Sequence, residues 1–427
     1  MPHFVPYAKI LRRFVFFFLV TFSVSPAFAQ TDTKRFDDYL FKVVVISPGE
    51  EIYMWWGHIG LIVEDTRLHT SKLYNWGMFT YPGDSFIRDF VDGRVQYMCV
   101  AGYIDVKEFI KEGWEITAYT LDLDRKAKEI ILSYAENCVL PENRYYDYQV
   151  FGDNCATRIR DVIDMGTGGQ FKAAFGSAGK RYTIRQYVRR FTWSRPITDW
   201  LFNFLMGQNV DQKVSPWEGM FIPREIARNI SDFSYTDESG TEHKLVSAVE
   251  TFNSTKEKVP IPDTAPVSWP FSLAAGLLFA VLLFLINTQR NKNPKVCRII
   301  LGLSQSLLGL FLGVLGCVLY FGLFYMKKDM IQQNINIWFI NPLLLLIVPL
   351  GIVSAVKKHS SKFPGIVLNV FWSYVFIAGS VTLLIKILPF FYQQNQSVHG
   401  LILPVSFVLS GIPEKILGKT PTDAPSA

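Results

Sequence analysis

The spacing of apolar and polar residues divides the chain into two regions of different character. Up to about residue 230, short apolar runs alternate with turn residues and amphipathic stretches. This pattern is typical of mixed strands and helices. From residue 268 onward the apolar runs are long and continuous, as in membrane helices. We therefore predict an α+β domain followed by an all-α transmembrane bundle.

Turn and breaker residues set the boundaries within the first region. The predicted strands cover 36–46, the run that begins at His58, 68–76, 95–104 and 114–123. Residues 85–91 and 125–138 are predicted to form helices, and a further helix is expected to begin at Cys155. Residues 232–267 are rich in Ser, Thr, Glu, Lys and Pro, which predicts a loop and linker.

The long apolar runs predict four or five membrane crossings. They cover 268–287, 298–325, 337–356 and 365–388, each long enough to cross about 30 Å of hydrocarbon, and a shorter run at 400–413 that contains Pro404. Basic residues fill the first and third loops, which places these loops in the cytoplasm and residues 30–265 outside. These basic residues are Arg290, Lys292, Lys295, Arg298, Lys357, Lys358 and Lys362. Lys327 and Lys328 in the second loop do not fit this pattern.

The N-terminus has the pattern of a secretion signal. Basic residues precede an apolar stretch, and Ala27-Phe-Ala29 provides small residues for cleavage. We expect residues 1–29 to be cleaved, although an uncleaved anchor is the alternative. The predicted domains are then an extracytoplasmic domain at 30–231, the linker at 232–267, the membrane region at 268–413 and a polar tail at 414–427.

Composition excludes several classes of chemistry. The chain has a formal net charge of +6, and it lacks the GxxxxGK[ST], GxGxxG and HExxH patterns of nucleotide and zinc sites. We therefore expect no cofactor and no metal. The five cysteines show no paired CxxC spacing, so a dense disulfide framework is not predicted. Cys99 and Cys138 are expected to be buried thiols, with a disulfide between them as the alternative.

Cys155 is the leading candidate for a reactive group. It follows Asp153 and Asn154, both good N-cap residues, and precedes residues with helical spacing. A thiol in the first turn of a helix lies where backbone N–H groups converge, and this position favours the nucleophilic thiolate. The alternative is that Cys155 is a small buried apolar residue.

A base for this cysteine is predicted upstream. His58 begins an apolar, β-branched run, and the residues from Glu64 to Arg67 form a predicted tight turn. If the hairpin folds about the middle of that turn, Asn75 faces His58 across the strands and can orient the imidazole. His69 is the alternative orienting residue. A nucleophile, a base and a polar orienting group together make a cysteine triad.

Two further patterns suggest contacts with lipid. Six basic residues between Lys180 and Arg195 alternate with aromatic residues, and in a membrane-attached chain anionic lipid head groups fit them better than nucleic acid. The alternative is a solvated helix face. Amide-rich segments at 332–342 and 393–404 lead into apolar runs, where the amides either cap helices or bind a lipid head group. Residues 200–206 are expected at the membrane interface.

Four sequence blocks resemble a known bacterial family. They are His58-Ile-Gly-Leu, Tyr74-Asn-Trp-Gly77, Gly152-Asp-Asn-Cys-Ala-Thr-Arg-Ile-Arg-Asp161 and Trp217-Glu-Gly-Met-Phe-Ile-Pro223. The family was long catalogued as a domain of unknown function, and it includes the Bacteroides-type lipoprotein N-acyltransferases. The order of the histidine and the Asn-Cys pair is also similar to the permuted NlpC-like papain superfamily, in particular to lecithin:retinol acyltransferase.

This resemblance implies a papain-like fold in which His58 and Cys155 are the catalytic pair. The implied reaction moves an acyl chain from a phospholipid, through a cysteine thioester, to the amine of a diacylglyceryl-cysteine lipoprotein at the bacterial inner membrane. The residues expected to contact the substrates are Asn154, Arg158, Tyr148 and Trp56. Arg158 either holds the lipid phosphate or forms an ion pair with Asp161.

Two other functions remain open at this point. The same cysteine and histidine suit a membrane-tethered peptidase or amidase that acts on cell-wall peptides. That function gives the large membrane region no task beyond anchoring. A non-enzymatic membrane assembly factor, in which His58 and Cys155 are structural, is the third alternative.

Overall fold

The computed structural model describes residues 36–79, 96–104, 114–253, 260–325, 330–356 and 363–416. Several predictions lie outside these residues: the signal at 1–29, the helix at 85–91, most of the tail at 414–427, and the loop lysines Lys327, Lys328, Lys357, Lys358 and Lys362.

Most strands of the described residues belong to one antiparallel sheet. In chain order the strands are β1 Tyr39–Ile46, β2 His58–Asp65, β3 Thr70–Phe79, β4 Gln96–Tyr103, β5 Ile116–Leu121, β6 Tyr145–Asp147, β7 Tyr182–Thr183, β8 Lys213–Val214, β9 Ser234–Thr236, β10 Glu242–Lys244 and β11 Val246–Phe252. The sheet has the order β11-β5-β1-β2-β3-β4-β6, while β7 pairs with β8 and β9 with β10. The five strands predicted from the sequence are confirmed.

Helices cover one face of this sheet and continue into the membrane region. In chain order they are α1 Arg125–Cys138, α2 Cys155–Gly166, α3 Gln170–Gly176, α4 Ile184–Thr192, α5 Pro196–Leu205, α6 Pro216–Gly219, α7 Pro223–Ser231, α8 Trp269–Thr288, α9 Pro294–Phe324, α10 Ile347–Val356, α11 Phe363–Leu384, α12 Gln396–Leu409 and α13 Ile412–Ile416. Helix α1 packs on α2, and α2 packs on β2 and β3. The predicted α1 and the predicted start of α2 are confirmed.

The expected linker at 232–267 is wrong for its first part. Residues 234–252 contain β9, β10 and β11, and β11 is the edge strand of the large sheet beside β5. Most side chains of β11 are exposed. An edge strand that faces water needs few apolar residues, so the polar composition of residues 234–252 did not distinguish strands from a loop.

The membrane region has three helices long and apolar enough to cross a bilayer among the described residues: Trp269–Thr288, Pro294–Phe324 and Phe363–Ile387. The predicted span at 337–356 is instead interrupted between the 3-10 helix Ile335–Trp338 and the helical segment that begins at Pro342, where the missing N–H of proline is tolerated only at the first position of a helix. The segments Pro342–Val356 and Gln396–Leu409 are shorter apolar helices.

Helix α5 joins the sheet domain to the membrane helices. Trp200 and Phe204 pack against the apolar cluster formed by the membrane helices. The indole of Trp200 donates to the carbonyl oxygen of Ser397 at 3.2 Å, and the amide of Asn203 donates to the Ser397 hydroxyl at 2.6 Å. The apolar residues of 200–206 therefore contact α12 directly.

Candidate active site

Asn154 places Cys155 at the first residue of α2. Its Oδ1 accepts hydrogen bonds from the backbone N–H groups of Ala156 at 2.8 Å and Thr157 at 2.9 Å. Its Nδ2 donates to the carbonyl oxygens of Val150 and Phe221. Two acceptor and two donor positions are the full capacity of an amide. The side-chain amide of Asn154 is therefore fully engaged within the protein, and a contact of Asn154 with substrate stays a prediction.

The predicted contact between His58 and Asn75 is confirmed, although the predicted register is wrong. Leu61 pairs with Tyr74, so Gly77 rather than Asn75 is in register with His58. A shift of two residues keeps Asn75 on the same face of the sheet, because side chains alternate with a period of two. Nε2 of His58 lies 3.0 Å from Oδ1 of Asn75.

This contact also determines the tautomer of the imidazole. Oδ1 of Asn75 accepts a hydrogen bond from the backbone N–H of Gly77 at 2.8 Å, which fixes the orientation of the amide. An amide oxygen only accepts, so Nε2 of His58 must carry the proton. In the neutral ring Nδ1 then has the free lone pair of a base.

The alternative orienting residue, His69, lies at the wrong end of the hairpin. It is exposed in the turn between β2 and β3, whereas His58 begins β2 at the opposite end of the strand. The eight residues of β2 span roughly 25 Å. His69 is therefore too far from His58 to orient it.

Gly77 lies between the base and the thiol. A Cβ atom at Gly77 would lie 2.4 Å from Cε1 and 3.2 Å from Nδ1 of His58, and 3.4 Å from Cβ of Cys155. The strand β3 bulges between Asn75 and Met78, so its backbone leaves the ladder at this point. The free side of the imidazole and the side chain of Cys155 therefore border the same gap, which only a glycine leaves open.

Burial and backbone N–H groups have opposite effects on Cys155. Burial raises the pKa of the thiol to about 11, while the N–H groups of Ile59, Ala156 and Cys155 itself act to lower it. Burial also lowers the pKa of His58, and the hydrogen bond to Asn75 partly opposes this. At neutral pH the resting pair is thus a thiol and a neutral imidazole. The thiolate forms when His58 removes the proton during the attack.

Tyrosines of β4 and the segment before α2 form a wall beside the thiol. The rings of Tyr97 and Tyr148 stack at 3.9 Å, and the hydroxyl of Tyr146 donates to the carbonyl oxygen of Trp76. Burial, with the nearby Cys155 as a second cause, raises the pKa of Tyr97 to about 12. Tyr148 therefore lies near the thiol, and its contact with substrate stays a prediction. Tyr97 and Tyr146 were missed, because the pairing of β4 with β6 joins residues about 50 positions apart.

Arg158 is committed to an ion pair within the protein. Its Nε and Nη2 atoms lie 2.5 and 2.6 Å from the two carboxylate oxygens of Asp153. Its guanidinium also lies 4.5 Å from the ring centre of Tyr146. The expected partner Asp161 is wrong, since that carboxylate bonds to Arg160. The two strong bonds to Asp153 leave Arg158 poorly suited to hold a lipid phosphate.

Trp56 lies beside the site and packs toward α4 and α5. Its ring lies 5.6 Å from that of Phe202 in an edge-on contact, and its Nε1 donates to the carbonyl oxygen of Val188 at 3.4 Å. These contacts hold the residues before His58 against the helices that dock on the membrane region. A contact of Trp56 with substrate stays a prediction.

The basic stretch at 180–195 divides into two groups. Lys180 and Arg181 are exposed, whereas the arginines of α4 are engaged inside the protein, so a lipid head-group site and a solvated face are both wrong for α4. Arg185 and Arg190 are almost fully buried. Each of three arginines on α4 has an acidic partner: Arg185 with Asp211, Arg189 with Asp199, and Arg190 with Glu225. A charge placed in the interior requires such a partner, and the acidic residues come from more distant parts of the chain.

Amides from the membrane loops cap the end of α5. The carbonyl oxygens of Phe204, Leu205 and Met206 would otherwise lack helical partners. They accept hydrogen bonds from Asn334, Asn336, Gln393 and Arg185. We call these four side chains the clasp. The expected capping of membrane helices is confirmed for Asn341, which accepts from the N–H of Leu343 at the start of the helix at Pro342. Other amides of these two segments also cap α5 of the sheet domain, which was not expected.

Residues 28–190 match the sequence model of a family described as the Lnb N-terminal periplasmic domain. The matched residues include His58, Asn75 and Cys155. No curated protein and no solved structure matches the chain. The match and the three long apolar helices show a membrane protein with a periplasmic domain. The papain-like architecture stays a prediction.

Proposed function

We propose that the protein is a cysteine-dependent acyltransferase that moves a fatty acyl chain from a phospholipid to the N-terminal amine of diacylglyceryl-cysteine lipoproteins. The observation that carries this proposal is the arrangement of three side chains. Cys155 begins a helix, Nδ1 of His58 borders the same gap, and Asn75 holds the opposite ring nitrogen at 3.0 Å. A base with a free nitrogen and a thiol on the two sides of one glycine support transfer of the thiol proton to His58 during the attack.

In the first half-reaction, the enzyme takes the acyl chain. His58 accepts the proton of Cys155, and the sulfur attacks the ester carbonyl of the phospholipid. The backbone N–H of Cys155, at the start of α2, stabilises the oxyanion that forms. The carbon–oxygen bond then breaks, and the lysophospholipid leaves with the proton from His58. The product on the enzyme is a thioester at Cys155.

In the second half-reaction, the lipoprotein amine attacks the thioester. His58 accepts a proton from the amine and returns it to the sulfur as the carbon–sulfur bond breaks. An amide forms on the lipoprotein, and Cys155 is restored as a thiol. The net change is one ester bond exchanged for one amide bond, with no cofactor.

The attachment of α5 to the membrane helices supports lipid substrates. Trp200, Phe204 and the clasp hold the domain against α12 and the neighbouring loops. An enzyme held in this way meets both lipid substrates within one membrane leaflet, which raises their effective concentration. A soluble cell-wall peptide would gain nothing from this arrangement.

The test is complementation in cells depleted of their own lipoprotein N-acyltransferase, with mass spectrometry of the lipoprotein N-terminus. We expect the wild-type protein to restore the N-acyl group, and Cys155→Ala or His58→Ala to fail. Cys317→Ala removes a thiol from α9 and is the matched control that should still rescue. Rescue by the Cys155 and His58 variants would contradict the assignment. Cleavage of cell-wall peptides without rescue would instead identify a peptidase.

A further inference from the structure

The turn before His58 presents apolar side chains to the outside of the protein. Ile52 is 59% exposed and Tyr53 is 56% exposed. They belong to residues 52–56, Ile-Tyr-Met-Trp-Trp, which we call the apolar turn. An exposed group of large apolar side chains next to a candidate site marks a surface that contacts something other than water.

Hydrogen bonds at its base hold this turn in one shape. The N–H groups of Gly49 and Gly57 both donate to the carbonyl oxygen of Met54, at 2.9 and 3.0 Å. Nε1 of Trp55 donates to the carbonyl oxygen of Glu50 at 2.8 Å. Gly57 has a φ of 79°, and a Cβ there would lie 2.6 Å from the carbonyl oxygen of Ile46. Ile52 and Tyr53 therefore lie at the tip of a closed turn.

The apolar turn stands beside the helix that docks on the membrane region. The rings of Trp55 and Trp56 lie 6.3 and 5.6 Å from the ring of Phe202 in α5. Trp56 and Phe202 pack on the same apolar cluster as Met330, which belongs to a loop of the membrane region. The turn is thus continuous with the surface by which the domain meets the bilayer-spanning part of the chain.

The charges around the turn favour insertion into lipid over attraction to head groups. Residues 52–56 carry no charge, whereas Glu50 and Glu51 precede them. The guanidinium of Arg195 lies 4.6 Å from the ring centre of Trp55. Two carboxylates next to the tip oppose contact with anionic lipid, so transfer of apolar side chains out of water is the driving force that remains.

We propose that the apolar turn inserts Ile52 and Tyr53 into the acyl region of the outer leaflet, and so opens a path from lipid to the gap beside His58. The turn ends two residues before His58 in the chain, so its insertion brings the candidate site close to the lipid. Insertion itself does not depend on the acyltransferase reaction, so this inference can hold even if the proposed function fails.

The test uses full-length Cys155→Ala protein in vesicles of a phosphatidylcholine that carries a photoactivatable diazirine on one acyl chain. After irradiation, labelled residues are located by peptide mass spectrometry. We expect adducts on the apolar turn and on α8, which serves as the positive control. Leu68, which is 61% exposed in the turn at the other end of β2, is the matched control and should remain unlabelled. The Cys155→Ala background prevents labelling by acyl transfer.

A double variant gives a second readout. Ile52→Ser with Tyr53→Ser should abolish the adducts on Trp55 and Trp56 and leave those on α8 unchanged, while Leu68→Ser should change neither. Labelling of wild-type turn residues should also be insensitive to salt. Adducts on α8 without any on the apolar turn would overturn the proposal, as would equal labelling of Leu68.

Discussion

The candidate site and the clasp are both built from buried polar side chains, yet their hydrogen bonding differs. In the clasp, Arg185 bonds to Asp211 and to three backbone carbonyl oxygens, and Asn334 uses both its amide nitrogen and its amide oxygen. In the site, Nδ1 of His58 has no hydrogen-bond partner within the part of the chain that the structure describes. Side chains whose hydrogen-bonding groups all have partners stabilise the fold, whereas a ring nitrogen without a partner beside a thiol is available to accept a proton.

The other polar residues near the site also differ in whether internal hydrogen bonds occupy them. The amide of Asn154 is fully engaged by internal partners, and Arg158 makes two short bonds to Asp153, so both support the position of Cys155. Asn75 uses its oxygen twice, but for His58 it is the group that fixes which nitrogen is free. Proximity to the thiol alone therefore does not identify a residue that binds substrate.

The largest expected effect is the loss of acyltransferase activity when Cys155 or His58 is replaced. Cys155→Ala removes the nucleophile, and we expect N-acylation in proteoliposomes to fall by about 10⁴-fold or more. His58→Ala removes the base and should cost about 10²–10⁴-fold. Cys317→Ala is the control and should keep wild-type rates. All three variants should have similar melting temperatures. A Cys155→Ala variant that kept the wild-type rate of N-acylation would contradict the assignment of Cys155 as the nucleophile.

Removal of one member of the clasp should affect stability instead. Arg185→Ala leaves the buried carboxylate of Asp211 without its partner, and we expect a loss of about 3–5 kcal/mol in the free energy of unfolding. Lys126→Ala breaks an exposed ion pair with Glu238 and should cost less than about 1 kcal/mol. Unfolding in detergent measures both. Equal stabilities would show that the clasp does not hold the domain in place.

Gly77→Ala tests the gap between base and thiol. The new methyl group would overlap with the imidazole of His58, so the ring must move, and a displacement of about 1 Å can lower kcat by about 10²-fold. Gly102→Ala adds the same methyl group on the adjacent strand β4, where no atom lies within 4 Å. That variant should retain wild-type kcat. Similar kcat values for the two variants would place the catalytic pair elsewhere.

Asn75→Ala removes the hydrogen bond that fixes the tautomer of His58. A hydrogen bond to a group that becomes charged is worth about 1.5–3 kcal/mol, so kcat should fall by roughly 10- to 100-fold while KM changes little. Asn143→Ala, at an exposed side-chain pair with Asn137, is the control. A loss confined to KM would assign Asn75 to substrate binding instead.

The last prediction concerns the charge of Cys155 and His58 at rest and involves no loss of activity. Because burial raises the pKa of Cys155 to about 11, its alkylation rate should rise about tenfold per pH unit between pH 7 and 9, without levelling. Site-resolved mass spectrometry separates Cys155 from the other cysteines. A rate that is already constant near pH 6 would mean a thiolate–imidazolium pair at rest.

Local patterns predicted the five long strands of the sheet before α1 and the contact between His58 and Asn75. The capping residue Asn154 fixed the start of α2, and the hairpin turn brought Asn75 to the correct face although its register was off by two residues. Distant pairings were not predictable. The acidic partners of the arginines on α4, and the tyrosines of β4 and β6, come together only in the folded chain, so residue type alone suggested a lipid-binding surface where the structure has buried ion pairs.

Trapping of the acyl-enzyme tests the central claim most directly. Wild-type protein in vesicles of a single phospholipid, with no lipoprotein present, should gain the mass of one acyl chain on Cys155. Hydroxylamine should remove this mass, as expected for a thioester, and His58→Ala should accumulate it far more slowly. Absence of any acyl mass on Cys155, in protein that is folded and inserted in the vesicles, would contradict the account.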